Sequence, residues 1–596
     1  MASRDLPHSF KEFSTQWYKN VKSEIIINKS KQQLLQDDFQ PDTYLSQDGK
    51  ESFTNSSTHS IINATNGNRD DDDEDDEEES GTRSVDTNTS ATRKSPHKVK
   101  MQNLWAAFAS GAGLFADGYV NNSIGIVLAC LSLIYGDEFS KSNAINNIGS
   151  IGFVGTVVGQ LSFGYISDRI ARKGGMMAAN IMLIVFTLLC AVGSWGKTTQ
   201  GFFACLTVWR FFLGVAIGAE YPTSSVIASE FANQLPAGKR NRYFIWFTNF
   251  MIDFGFVVSA FVPFVLIWIF TENHLRALWR VTIGLGAVIP FSLFFMRLKI
   301  KDSASFSKLH MKQVRYRDYP WWLIVKFYWF RLTIVSLIWF IYNFSVYSFG
   351  TFNTIIMGQI IPDAPIWQQW GWSVVFNLFY IPGGFLGAIS ADYIGPRLTL
   401  ALGVGLQGVI GMIMSACLNG LRKNIAGFTV VFGIFTSLGE FGPGDNIGLL
   451  ASKTSATPIR GQYYGIAAAV GKIGAFVGTW IFPAIQRKYH DPENPDLELQ
   501  VPFYISASLC LFSACLTFFL CPHVGQDAIN REDVDFVQYL KSHGFDVAQL
   551  GGGENMSEGD LSQYRKSEVA SVVEVEKDNS ALSEKGKDIL QSEKEA

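Results

Sequence analysis

The stretch Trp209–Ser225, WRFFLGVAIGAEYPTSS, joins an apolar helical run to charges that such a run does not carry freely. Gly214 and Gly218 stand in GxxxG spacing, which lets a second helix backbone approach closely. Arg210 lies among Phe and Leu, and Glu220, followed by Tyr221 and Pro222, comes directly after the glycines. A carboxylate or guanidinium inside a membrane-spanning helix is costly unless it faces a cavity or a partner. The stretch therefore predicts a spanning helix whose Glu220 and Tyr221 line a pathway through the protein. Snorkelling of Glu220 to the lipid surface is the bland alternative.

Runs of this kind recur along the 596-residue chain, which is 47% hydrophobic and holds 48 Phe and 54 Gly. From Leu104 to Cys521 each apolar run is long enough to cross a bilayer core. Twelve spans are expected, at roughly 103–134, 146–166, 175–195, 201–231, 242–270, 278–297, 321–350, 368–391, 398–418, 425–450, 462–485 and 502–521. The fold class is an all-α membrane protein. The net charge of −4 reflects ten consecutive acidic residues, Asp70–Glu79, in a polar leader. Nothing points to nucleic acid. The seven cysteines sit in or beside apolar runs without metal-ligand spacing, so neither metal nor cofactor is expected. No nucleophile, base and oxyanion arrangement supports a soluble enzyme. No apolar h-region opens the chain, so the first span would serve as insertion signal.

Five regions follow. Residues 1–100 are a polar, disordered leader; 101–297 are a first six-helix half; 298–320 are a polar loop; 321–522 are a second six-helix half; 523–596 are a polar tail, also read as mostly disordered. Basic residues cluster in alternate loops: Arg169, Arg172 and Lys173, then Lys239, Arg240 and Arg242, then Lys299 to Arg317. Of the intervening loops, the first holds only Lys141, the next only Lys197, and Met357–Trp367 no basic residue. Positive charge stays inside, which predicts a multi-pass membrane protein with both termini cytosolic; a monomer in the lipid bilayer is expected.

The halves echo each other. GYISDRIARK after span two and AISADYIGPR after span eight place Asp168 and Asp392 in register, 224 positions apart. Two parallel six-helix halves around a central site is the architecture of major facilitator transporters. GYISDRIARKGG resembles that superfamily's loop between helices two and three. RFFLGVAIGAEYPTSSVIASEFA and GIAAAVGKIGAFVG resemble the fungal phosphate:proton symporter family, and within it the chain is most similar to the fungal glycerophosphodiester permeases, over about residues 101–522.

Several polar groups stand alone in apolar spans. Asp117, Glu220, Asp253 and Glu440 are candidate proton carriers, since a carboxyl in a dry cavity gains proton affinity and loses it beside a cation. Trp339, Asn343 and Tyr347 fall on one helix face. In GEFGPGDN, Gly442, Pro443 and Gly444 must interrupt regular helix, with Asp445 at the break. Lys472 is the candidate anion holder; a permanent bridge to Glu440, Asp445 or another carboxylate is its structural alternative. The candidate site residues are thus Tyr221, Trp339, Asn343, Tyr347, Gly444, Asp445 and Lys472. Asp168, Arg169 and Asp392 are expected to gate. The resemblance implies that Glu220-Tyr221 stands where phosphate symporters carry Asp-Tyr, Asn343 where they carry Asp, and Glu440 and Gly444 where they carry Asn. A phosphodiester has one charge and no P–OH, so an amide donor and a small residue suit it better than an aspartate. The expected activity is proton-coupled import of a glycerophosphodiester, glycerophosphocholine or glycerophosphoinositol. Inorganic phosphate symport and a transporter-fold nutrient sensor are the alternatives.

Overall fold

The computed structural model describes residues 96–551 apart from 194, 236–237, 301–302, 304–305, 308, 490–495 and 526–527. The expected leader, with its acidic run, and the chain after 551 lie outside the described residues. Among the described residues, twelve helices are long and apolar enough to cross a membrane. The first half holds α1 (Leu104–Tyr135), α2 (Ala144–Arg169), α3 (Arg172–Val192), α4 (Thr199–Asn233), α5 (Arg240–Phe270) and α6 (Glu272–Arg297). The second holds α7 (Trp321–Thr354), α8 (Ile366–Tyr393), α9 (Pro396–Ala416), α10 (Ile425–Lys453), α11 (Thr457–Lys488) and α12 (Leu497–Leu520). A further helix, α13 (Ala528–Ser542), follows them. The largest departure from the expected boundaries is the end of α7, whose helix runs on to Ile360; α6, α11 and α12 start earlier than expected, each with a polar first turn before the apolar run.

Outward positions such as Leu161, Phe254, Leu386 and Phe512 are exposed and apolar, as lipid-facing helices require. The glycines of the opening stretch meet α2. A methyl group built on Gly214 would stand 2.1 Å from the Gly152 carbonyl oxygen, and one on Gly218 would stand 2.1 Å from that of Thr156. The two backbones touch, so the GxxxG spacing serves packing inside the first half. Arg210 is buried against α2, donating to the Ile148 carbonyl at 3.4 Å.

Each half carries one π-helical turn: Tyr221–Ser225 in α4, containing Pro222, and Glu440–Gly444 in α10, containing Pro443. The break foreseen in α10 is therefore matched in α4, where a proline and the polar run TSS displace the regular hydrogen bonds. Tyr221 of the first turn and Glu440 of the second line one cavity between the halves.

The halves meet at both ends. At the end carrying the basic loops, Asp168 accepts from the Gly461 and Gln462 amides at 2.9 and 2.7 Å, and Arg242 donates to Asp392 at 2.5 Å. Toward the opposite end, Asn122 donates to Asn377 at 3.1 Å and the Trp268 and Trp367 rings lie 5.6 Å apart. The tail is not structureless throughout. Ile529, Val534, Phe536, Val537 and Leu540 of α13 are buried, while its charged residues obscure that stripe in the sequence.

Candidate functional site

Between the two sets of contacts lies a central cavity. It is lined by residues of both halves, including Tyr221, Asn249, Phe256, Trp339, Tyr342, Asn343, Tyr347, Glu440, Gly444 and Asp445. The single helix face of α7 brings Trp339, Asn343 and Tyr347 to it together. The α4 π turn supplies Tyr221, and the α10 π turn supplies Glu440 and Gly444.

One pole of the site is built around Lys472. Its Nζ lies 2.5 Å from the Tyr347 hydroxyl and 3.5 Å from Asp117 Oδ2. Tyr221 donates a short hydrogen bond to the same Asp117 oxygen, and Asn121 donates to Oδ1 at 2.5 Å. The ammonium also sits over the Tyr347 ring, 4.0 Å from its centroid. Lys472 and Asp117 are 1% and 2% exposed, so the pair is held away from solvent behind the two tyrosines. Neither is on the cavity wall itself; Tyr221 and Tyr347 are. The counter-charge of Lys472 is thus Asp117, across 355 residues of sequence, and not Glu440 or Asp445.

Glu220 does not face Lys472. Its carboxylate receives Arg297 Nη1 at 2.7 Å and Nη2 at 3.0 Å, with a short hydrogen bond from Ser224. Arg297 also donates to the Ala109 and Ser110 carbonyls. The expected path-lining position of Glu220 is corrected: it is fully buried, off the cavity wall, and ties α4 to α1 and α6. The reason is steric and electrostatic. Gly113 leaves space for the guanidinium, which a methyl group there would meet at 2.0 Å. Arg297 reads in sequence as a loop charge, yet it is 0% exposed.

The second pole is acidic. Asn249 of α5 donates to Glu440 Oε2 at 3.1 Å and to Asp445 Oδ1 at 3.0 Å. Tyr342 donates to Glu440 Oε1 at 2.8 Å. Asp253 lies beside Glu440, fully buried and behind the cavity wall. Gly444 was expected to free volume for substrate. The structure gives that volume to Glu440, since a methyl group on Gly444 would stand 2.0 Å from Glu440 Oε2.

The residues expected to gate divide in two. Asp168 and Asp392 join the halves as described. Arg169 pairs with neither: it donates to the Met311 carbonyl at 3.3 Å and stacks on Tyr319, tethering the central loop. Sequence reasoning missed the rest of this cluster. Glu230 receives Arg172 in a short contact and Arg460 at 3.1 Å, and Arg172 also donates to the Thr457 carbonyl at 2.6 Å. From α13, Glu532 receives Arg331 at 2.9 Å, and Asp533 accepts from the Thr457 hydroxyl at 2.6 Å. The loop-basic reading of Arg172 hid its pairing, and Glu230 carries no local signal beyond being an acid near a helix end.

With this geometry in hand, the chain can be set against known proteins. The model described as "Sugar (and other) transporter" matches residues 105–318 and 310–531. The chain belongs to this family. The transporter is 74% identical to the glycerophosphodiester transporter GIT2 of Candida albicans, over 96% of this chain and 97% of that one. It is 72% identical to the major glycerophosphoinositol permease GIT3 of the same yeast, over 94% and 96% of the two chains. It is 62% identical to the glycerophosphocholine permease GIT4 of that yeast, over 97% and 98%. Among solved structures, the proton:xylose symporter XylE bound to 6-bromo-6-deoxy-D-glucose superposes with TM-score 0.59 at 14% identity, covering 72% of this chain and 98% of that one. That likeness concerns the fold alone. The transporter is a multi-pass membrane protein of the major facilitator architecture, and not an enzyme.

Proposed function

We propose that the chain imports glycerophosphodiesters together with protons, by alternating access, as a monomer in a fungal plasma membrane with both termini cytosolic. The relatives named as glycerophosphodiester, glycerophosphoinositol and glycerophosphocholine carriers support the substrate class. The observation that carries the mechanism is the Lys472–Asp117 pair behind Tyr221 and Tyr347, at the edge of the central cavity. Inside a low-dielectric site each of these two charges depends on the other. A phosphodiester anion reaching Lys472 competes with Asp117 for it. The Asp117 carboxylate, losing its cation in a dry site, gains proton affinity. Anion and proton then load together, with no covalent chemistry.

The surrounding residues fit this division of labour. Asn343 Nδ2 has no hydrogen-bond acceptor and lies on the cavity wall, which leaves a donor for a phosphodiester oxygen. The tyrosine hydroxyls on Asp117 and Lys472 can rotate to the same anion. Opening then requires one set of closures to part while the other holds: Asp168, Arg242 and Glu230 at the basic end, and the tryptophan contact opposite. Glu220, held by Arg297, keeps α4, α1 and α6 rigid beneath the Tyr221 turn, and its proton-carrying role passes in this reading to Asp117.

The test is side-by-side uptake of labelled glycerophosphocholine, glycerophosphoinositol and phosphate in cells lacking their own carriers. Diester uptake that exceeds phosphate uptake supports the reading. Dominant phosphate uptake would reject it. Asn343→Asp combined with Gly444→Asn is expected to lose diester uptake, because it restores a repulsive acceptor and displaces Glu440.

A further inference from the structure

The acidic pole needs an occupant of its own. Asp253, Glu440 and Asp445 are 0%, 4% and 1% exposed. None of them makes an ion pair among the described residues. The buried cations nearest in role are committed elsewhere, Lys472 to Asp117 and Arg297 to Glu220. Asp445 Oδ2 receives no hydrogen bond, and neither Asp253 oxygen has a donor other than the neighbouring Glu440 carboxyl. The three acids are not disposed to hold a metal ion. Like charges crowded in a dry interior cannot all persist without protons or a compensating cation.

The cavity wall beside these acids is aromatic: Phe244, Phe256 and Tyr342 line it with Glu440 and Asp445. The other end of the same cavity presents the unpaired Asn343 Nδ2 donor, with Lys472 behind the Tyr221 and Tyr347 hydroxyls, which both donate to Asp117. A ligand that satisfies both ends is anionic at one and cationic at the other. A quaternary ammonium has no N–H to donate and is weakly hydrated, so carboxylates and aromatic faces meet its needs without demanding directed hydrogen bonds. A neutral polyol offers hydroxyls to Glu440 and Asp445 but no cation, so with it bound their charge must be met by protons alone.

We propose that Asn249, Glu440 and Asp445, backed by Asp253, form the headgroup subsite of the cavity, and that it takes a quaternary ammonium headgroup in preference to a neutral polyol. This rests on the reading of the cavity as a phosphodiester site. The phosphodiester lies toward Asn343 and Lys472, and the choline group toward the α10 turn. Gly444 belongs to the same device, since its lack of a side chain is what lets Glu440 turn onto the wall.

The experiment measures equilibrium binding of glycerophosphocholine and glycerophosphoinositol to the purified full chain, then repeats it with Asp445→Asn and Glu440→Gln. Wild type is expected to bind the choline diester about tenfold more tightly, and each variant to reduce that preference by about tenfold. Wild-type preference for the inositol diester would overturn the proposal. So would a preference unchanged within about twofold in a variant that still binds either ligand. If both variants fail to fold, the wild-type order decides alone. Wild type binding neither diester would bring down the transport reading itself, and the subsite with it, which is a different outcome from a reversed preference.

Discussion

At the scale of single residues, two buried ion pairs that look alike in sequence sit in different surroundings. Lys472–Asp117 sits behind hydroxyls that open onto the cavity, so a ligand can exchange for either partner. Glu220–Arg297 is saturated by Ser224 and two backbone carbonyls, so nothing can. Asp117→Asn is expected to abolish accumulation driven by a pH gradient while substrate exchange across the membrane persists; normal accumulation by this variant would remove Asp117 from the coupling. Glu220→Gln leaves a buried guanidinium with half its compensation, a change that typically costs about 3–5 kcal/mol. Its expected outcome is a lower melting temperature and a lower yield at the membrane, partly restored by adding Arg297→Gln. A variant of normal stability that transports without concentrating substrate would instead return Glu220 to the proton path. The sequence made both acids visible as isolated charges. It could not show their partners, because Asp117 meets Lys472 from the far half and Arg297 reads as one more basic loop residue.

At the scale of elements, the apolar runs and the α7 face were legible because they depend on local periodicity. The α10 break was legible because Gly442, Pro443 and Gly444 leave little choice. The α4 break was less so, since a lone Pro222 kinks a helix in several ways, and only the packed structure resolves it as a π turn. The GxxxG pair announced a close helix contact but not its partner, which is α2. Gly214→Val is expected to destabilise the first half by about 1–3 kcal/mol or more, because its side chain would collide with the Gly152 carbonyl. A thermal-stability assay on the solubilised protein checks this, and an unchanged midpoint would contradict the contact. The amphipathic α13 escaped notice because Arg531, Glu532, Asp533 and Asp535 interrupt its apolar stripe.

At the scale of the whole molecule, closure of the basic end is distributed over charges from four regions of chain: Asp168 and Arg172, Glu230, Arg460, and Glu532 with Asp533 from α13. Removing a single buried partner leaves another charge stranded, so effects of substitution here will be far from additive. Asp533→Asn combined with Glu532→Gln is expected to loosen this end, raising the reactivity of a cysteine placed at Thr457 toward a membrane-impermeant thiol reagent applied from the basic-loop side. Unchanged reactivity would mean that α13 only rests on the gate. The paired halves and the central cavity follow from the internal echo around Asp168 and Asp392. The division of that cavity into a cationic pole and an acidic one does not, because it emerges only when α1, α5, α10 and α11 are brought together.

The central claim is that one cavity loads a phosphodiester and a proton in the same step. Purified protein in liposomes, given labelled glycerophosphocholine under an inwardly directed proton gradient, tests it most directly. The account predicts accumulation above the external concentration that collapses when the gradient is dissipated, and that is lost in Asp117→Asn while exchange continues. Accumulation that ignores the gradient, or that survives Asp117→Asn unchanged, would contradict it.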